Sequence, residues 1–101
     1  MKMNVQSVNF NADQKLVDFI QKKLDKLENH FDNVIYADVY LKVQNTSEKE
    51  NKVTEILLSI PGDEIICKKR SRRFEVGVDE CISSLDRQLQ KRKKKFSAQV
   101  A

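Results

Sequence analysis

At 101 residues, 40% hydrophobic and 34% charged, the chain has the length of a single domain (residues 1–101) with one core, and its apolar residues are too regularly placed for disorder. No apolar run approaches the roughly 18 residues of a membrane span and no signal peptide precedes the first element; the two cysteines form no Cys-x-x-Cys pair and there is no histidine cluster, so structural zinc and a disulfide framework are not expected, and a small cytoplasmic protein is. The formal net charge of +4 is unevenly distributed: residues 68–95 hold eleven basic and four acidic side chains, net +7, and the rest of the chain is −3, the pattern of a protein that presents a positive surface to a polyanion.

Only Pro61, Gly62 and Gly77 interrupt the chain as Gly or Pro, so the elements should be long. Residues 2–9 alternate loosely, with Met3 and Val5 on one side, and read as a strand. Asp13 is placed to cap a helix over residues 13–31, in which Leu16, Ile20, Leu24, Leu27 and Phe31 recur at helical spacing, widened by Val17 and Phe19. The outer face of this helix carries Lys15, Lys22, Lys23 and Lys26 among Asp18 and Asp25.

Over residues 34–44 the period changes from 3.6 to 2. Ile35, Ala37, Val39, Leu41 and Val43 face one way and Tyr36, Asp38, Tyr40 and Lys42 the other, which predicts a sheet with one buried and one wet face. Residues 45–51 are polar and read as a loop. Residues 53–60 form the next strand, with Ile56, Leu58 and Ile60 inward. Pro61-Gly62-Asp63 is a turn, and residues 64–69 return with Ile65 and Cys67 inward.

The last element is a helix over residues 71–96, with Ser71 as candidate N-cap and a stripe of Phe74, Val78, Ile82, Leu85 and Leu89 that Phe96 would extend. Arg73, Arg87, Lys91, Lys94 and Lys95 fall on the opposite side at 100° per residue. Gly77 inside the helix costs about 1 kcal/mol relative to Ala; it either permits a close helix–sheet approach or is simply tolerated.

The order β-α-β-β-β-α, with one stripe per helix and one apolar sheet face, predicts an α+β two-layer sandwich. Two helices cover one face of a four-stranded mixed sheet, similar to the double-stranded RNA-binding domains. The first two strands, joined by a helix, should be parallel, and the rest antiparallel hairpins.

Catalytic chemistry has little to stand on. His30 is the single histidine, near a helix C-terminus where a cation is favoured. No nucleophile has a visible base, and the two glycines are too far apart for a phosphate-cradling loop. No enzyme activity, metal or cofactor is expected. Cys67 and Cys81 face inward and read as small buried hydrophobes. Tyr36 and Tyr40, beside Lys42, either stack single-stranded bases or make ordinary cross-strand contacts, and the second is the simpler reading.

The basic clusters are the informative feature. Lys68, Lys69, Arg70, Arg72 and Arg73 crowd the start of the last helix, where cations oppose the helix dipole, a local penalty that a phosphate partner would relieve. Arg87, Lys91, Arg92, Lys93, Lys94 and Lys95 crowd its far end, about 30 Å away. A rod with cationic ends suits a folded polyanion with widely spaced phosphates.

Three segments carry a resemblance. They are Leu-x-x-x-Ile-x-x-Lys-Leu-x-Lys-Leu at residues 16–27, Ala-Asp-Val-Tyr-Leu-Lys-Val at residues 37–43, and Asp79 followed by Asp86-Arg87-Gln88-Leu89-Gln90-Lys91-Arg92-Lys93-Lys94-Lys95. In this combination the chain resembles the ribosome hibernation-promoting factor family, also called the ribosome-associated inhibitor or sigma-54 modulation family, in its short form. The resemblance implies the same fold and a protein that binds small-subunit rRNA in the channel of messenger and transfer RNA, silencing ribosomes under stress or in stationary phase. It implies rRNA contacts by Lys22, Lys23 and Lys26 and by Arg87, Lys91, Lys93, Lys94 and Lys95. Lys68 to Arg73 and Arg92 join them on charge alone. The implied partner is the small ribosomal subunit, with no membrane, no small-molecule substrate, and a monomer when free. The alternatives are a generic double-stranded RNA-binding module and a transcription modulator acting on sigma-54.

Overall fold

The computed structural model describes residues 1–31 and 33–100, with the side chains of the last helix described as far as Arg92. The elements are β1 (Lys2–Val8), α1 (Gln14–Glu28), β2 (Tyr36–Val43), β3 (Lys52–Ile60), β4 (Asp63–Ser71) and α2 (Phe74–Val100). They form one sheet in the order β1-β2-β3-β4. The α1 crossover makes β1 and β2 parallel, with Val5 opposite Val39. The two hairpins are antiparallel, with Val39 opposite Ile56 and Ile56 opposite Cys67. Pro61 and Gly62 fill the two positions between the paired Ile60 and Asp63. Gly62 has φ +78°, so this is the residue chemistry of a type II turn, Pro first and a positive-φ Gly second.

Both helices lie on the face that Ala37, Val39, Leu41, Ile56, Leu58, Ile65 and Cys67 present. α1 begins where the sequence places it. The Asp13 carboxylate accepts the Leu16 N–H at 2.8 Å, an N-cap. Its four buried side chains, Leu16, Ile20, Leu24 and Leu27, are the predicted stripe. Each contributes about 1.5–3 kcal/mol by leaving water. The helix stops at Glu28 rather than residue 31, because Asn29 to Phe31 pass into turn bonds such as Phe31 N–H to Glu28 C=O (3.1 Å). Phe31 stays buried.

Two expectations are corrected. Ile35 has the parity of the inward residues but is 56% exposed. It precedes β2 and lines an open groove with Gly62 and Asp63 at the β3–β4 turn. Ser71 does not cap α2. Pairing with Lys52 draws it into β4, and its hydroxyl donates to the Arg73 carbonyl at 2.6 Å. The first helical bond runs from Gly77 N–H to that same carbonyl (3.2 Å), so Arg73 occupies the cap position.

Gly77 is there for close approach. A Cβ at this position would stand 2.7 Å from Thr54 Oγ1 and 2.9 Å from Ser71 Oγ, so the helix backbone rests directly on β3 and β4. Beside it Cys81 is fully buried, its thiol donating weakly to the carbonyls of Thr54 (3.7 Å) and Cys67 (3.6 Å). Cys67 and Cys81 are both free and buried, as their positions predict. A contact that periodicity does not announce closes the same end of the core: Phe10 stacks on Phe74 with ring centroids 4.7 Å apart. Phe96, proposed to extend the stripe, lies outside the described side chains.

Candidate nucleic-acid interface

The site is assembled from the outer surfaces of α1 and α2 and the edge of β4. On α1, Lys22 and Lys26 are exposed, and Lys15 stands on the same ridge. Lys15 was not among the sequence-predicted contacts, yet its seven-residue spacing from Lys22 is the signal that could have found it. The acids of this helix are occupied. Asp18 accepts from Gln14 Nε2 and Asp25 from Gln21 Nε2, both at 2.8 Å. Glu28 takes the Met1 ammonium at 2.9 Å, and that carboxylate holds the amine's pKa above its ordinary value.

Lys23 belongs to a different arrangement from the one expected. Its Nζ lies 3.1 Å from Asp79 of α2 and 5.4 Å from the Phe19 ring centroid. It ties the two helices together and presents its charge to a neighbour already in place. On α2, Arg87 and Lys91 are exposed, as the wheel predicts. A shallow groove of about 280 Å³ between this helix and the β4 edge is lined by Lys69, Asp79, Glu80, Ser83 and Arg87.

Arg92 is the clearest departure. Three residues beyond Leu89, it continues the core-facing stripe past the end of the sheet, so its guanidinium turns back and hydrogen-bonds Asp63 at the β3–β4 turn. Asp63 also accepts the Glu64 N–H at 2.7 Å. That backbone bond first, and Arg92 second, hold its carboxyl below the usual aspartate range. Arg92 is therefore an anchor for the projecting part of α2.

The cluster at the start of α2 is likewise divided. Arg70 pairs with Glu48 of the β2–β3 loop at 3.2 Å, and Arg73 with Glu75 at 3.5 Å. Glu75, in the first turn, also meets the positive end of the helix dipole. Lys68 and Arg72 are exposed, Lys69 is half-buried, and none of the three has an ion-pair partner among the described residues. Lys93, Lys94 and Lys95 lie outside the described side chains, on a stretch where α2 continues as helix. On the described parts of the two helices and the β4 edge, then, Lys15, Lys22, Lys26, Lys68, Lys69, Arg72, Arg87 and Lys91 carry charge that no ion pair has claimed.

Exposed lysines and arginines of this kind are suited to phosphate contacts. His30 is exposed and edges onto Phe31 (ring centroids 6.4 Å), and no nucleophile stands beside it among the described contacts. Cys81 is unsuited to nucleophilic work, because burial first and the neighbouring Cys67 second push its thiol pKa far up. No group of three His, Cys, Asp or Glu among the described residues could hold a metal. No helix among them is long and apolar enough to cross a membrane.

Known proteins share this sequence and fold. A ribosome hibernation promoting factor of Pseudomonas putida is 32% identical over 95 residues, covering 94% of this chain and 89% of its own. One from Escherichia coli is 32% identical over 96 residues, covering 95% and 97%. The structure of a ribosomal subunit interface protein from Coxiella burnetii superposes with a TM-score of 0.82 at 20% identity, covering 93% of this chain and 99% of that one, and carries the same fold. Over residues 3–97 the sequence matches the family model described as Sigma 54 modulation protein / S30EA ribosomal protein, and the chain belongs to that family.

Proposed function

We propose that this protein is a ribosome hibernation factor that acts by occupancy. It binds small-subunit rRNA in the channel of messenger and transfer RNA and inhibits translation under stress or in stationary phase. The hibernation role is supported by the relatives of that name, each aligned over nearly its whole length. The observation that carries the binding mode is the set of eight unclaimed cations on the helical layer and the β4 edge, with Lys93 to Lys95 continuing the same helix. Phosphate contacts supply most of the affinity, and the shape of the folded RNA supplies the selectivity.

The test is co-sedimentation with small ribosomal subunits across a salt series. Eight phosphate contacts at about 0.7–0.9 each give a log K against log salt slope of about −6 to −7. Arg87→Glu with Lys91→Glu should make the slope shallower by about two contacts and relieve inhibition of cell-free translation. A flat salt response, or a folded double variant that binds small subunits like the wild type, refutes the assignment. Equal affinity for any RNA duplex would favour a generic double-stranded RNA-binding module.

A further inference from the structure

The helices cover one face of the sheet, and the other is open except around Val53, which is buried. Its cross-strand rows follow from the register: Lys2–Tyr36–Ser59–Glu64, Asn4–Asp38–Leu57–Ile66, Gln6–Tyr40–Glu55–Lys68 and Val8–Lys42–Val53–Arg70. Tyr36 and Tyr40 stand half-buried on the central strand β2, and Leu57 and Ile66 continue an apolar floor beside them. Ile66 is 51% exposed. Lys2, Lys42 and Lys68 ring this floor, and Arg70 beside them is already paired with Glu48. Of the acids on the face, Asp38 accepts a hydrogen bond from Asn4 (3.1 Å), Glu55 lies opposite Lys68, and Glu64 is at the far corner.

We propose that this open face is a second RNA-contact surface, a platform on which Tyr36 and Tyr40 stack unpaired bases of a single strand whose backbone passes Lys42 and Lys68. The proposal rests on the reading of the chain as an RNA-binding factor and adds the kind of RNA that this face accepts. Continuity with the basic run is the first argument. Lys68 belongs to the same segment as Lys69 and Arg72, and it lies two strands from Tyr40, about 10 Å, so one nucleotide can meet both. Lys42 is two residues from Tyr40 on the same face, about 7 Å.

Spacing is the second argument. The tyrosines are four residues apart on one strand, about 13 Å, nearly four times the 3.4 Å rise of stacked bases in a duplex strand. The rings therefore cannot take consecutive bases that remain stacked on each other. They can take bases splayed from a single strand, with Leu57 between to receive the intervening one.

The chain supplies its own reporter, since Tyr36 and Tyr40 are its only tyrosines and it has no tryptophan. Titration with a short oligouridylate at low salt should quench tyrosine fluorescence saturably, whereas an RNA duplex of equal length should bind without comparable quenching. Tyr40→Leu should weaken oligouridylate binding, measured by anisotropy of a labelled strand, at least about fivefold, with an unchanged circular dichroism spectrum. Tyr36→Leu should do the same.

Absence of oligouridylate binding, binding without quenching, or wild-type affinity in both variants overturns the proposal. So does a pair of variants that bind oligouridylate normally but lose small subunits, which would assign the face to a ribosomal protein. Failure of the hibernation reading is separate, because it appears as loss of small-subunit co-sedimentation by the wild-type protein.

Discussion

Replacing Gly77 by alanine tests how closely α2 is seated on the sheet. In an exposed helix the change would stabilise by about 1 kcal/mol, because alanine loses less backbone freedom. Here the new methyl meets Thr54 Oγ1 at 2.7 Å and Ser71 Oγ at 2.9 Å, and both residues are buried on strands that cannot retreat. Overpacking of this kind costs about 1–3 kcal/mol, and two contacts below 3.0 Å place it near the upper end. The net loss is about 1–2 kcal/mol, or a fall in Tm of roughly 5–15 °C for a domain of this size. Thr54→Ala should restore most of it. The Thr54 hydroxyl has no hydrogen-bond partner among the described residues, so removing it vacates the space without stranding a donor. Thermal unfolding followed by circular dichroism, for both single variants and the double, reads the coupling directly. A Tm for Gly77→Ala at or above the wild type, or a double variant no more stable than Gly77→Ala, would refute the close seating. The same variant bears on the proposed binding mode, because a displaced α2 carries Arg87 and Lys91 with it.

The other expectations concern the anchor, the thiols and the core. The folded pKa of Asp63 is depressed, so its contact with Arg92 contributes fully above the unfolded aspartate value and is lost only as pH falls through the lower folded one. A carboxyl titration by NMR should therefore find Asp63 ionised throughout the neutral and mildly acidic range. Arg92→Ala should raise its midpoint only part of the way, since the Glu64 N–H acts first; an unchanged midpoint would remove Arg92 from the anchor. Cys81 should resist thiol reagents at pH 8 until the protein unfolds, and native-state labelling at the rate of free cysteine would contradict its burial. Leu24→Ala, at a position with no exposed surface, should cost about 2–5 kcal/mol in denaturant unfolding. A loss below 1 kcal/mol would mean that α1 is not packed as described.

Much of the architecture was legible because it is written in local periodicity. The stripe Leu16, Ile20, Leu24, Leu27 needs a helix to form one face, and Ala37, Val39, Leu41 need a strand. Asp13 announces the first helix and Pro61-Gly62 the last hairpin. The order of the elements then leaves one economical way to bury three apolar faces. Ser71 was misread because its hydroxyl suits a cap, and only the ladder to Lys52 keeps it in the strand. Ile35 was misread because parity says which way a side chain points and not whether anything lies above it.

The charge asymmetry that points to a polyanion also stands in the sequence, since it needs only a count of residues 68–95. Which cations remain available was decided by the tertiary structure. Lys23 meets Asp79, Arg70 meets Glu48, and Arg92 meets Asp63, pairs brought together across 22 to 56 positions of chain. Periodicity fixes the direction of a side chain about its own element. Whether a carboxylate from another element lies within a few ångströms depends on how the helices and sheet pack, and that sorted the basic residues into structural ties and a surface still able to bind phosphate.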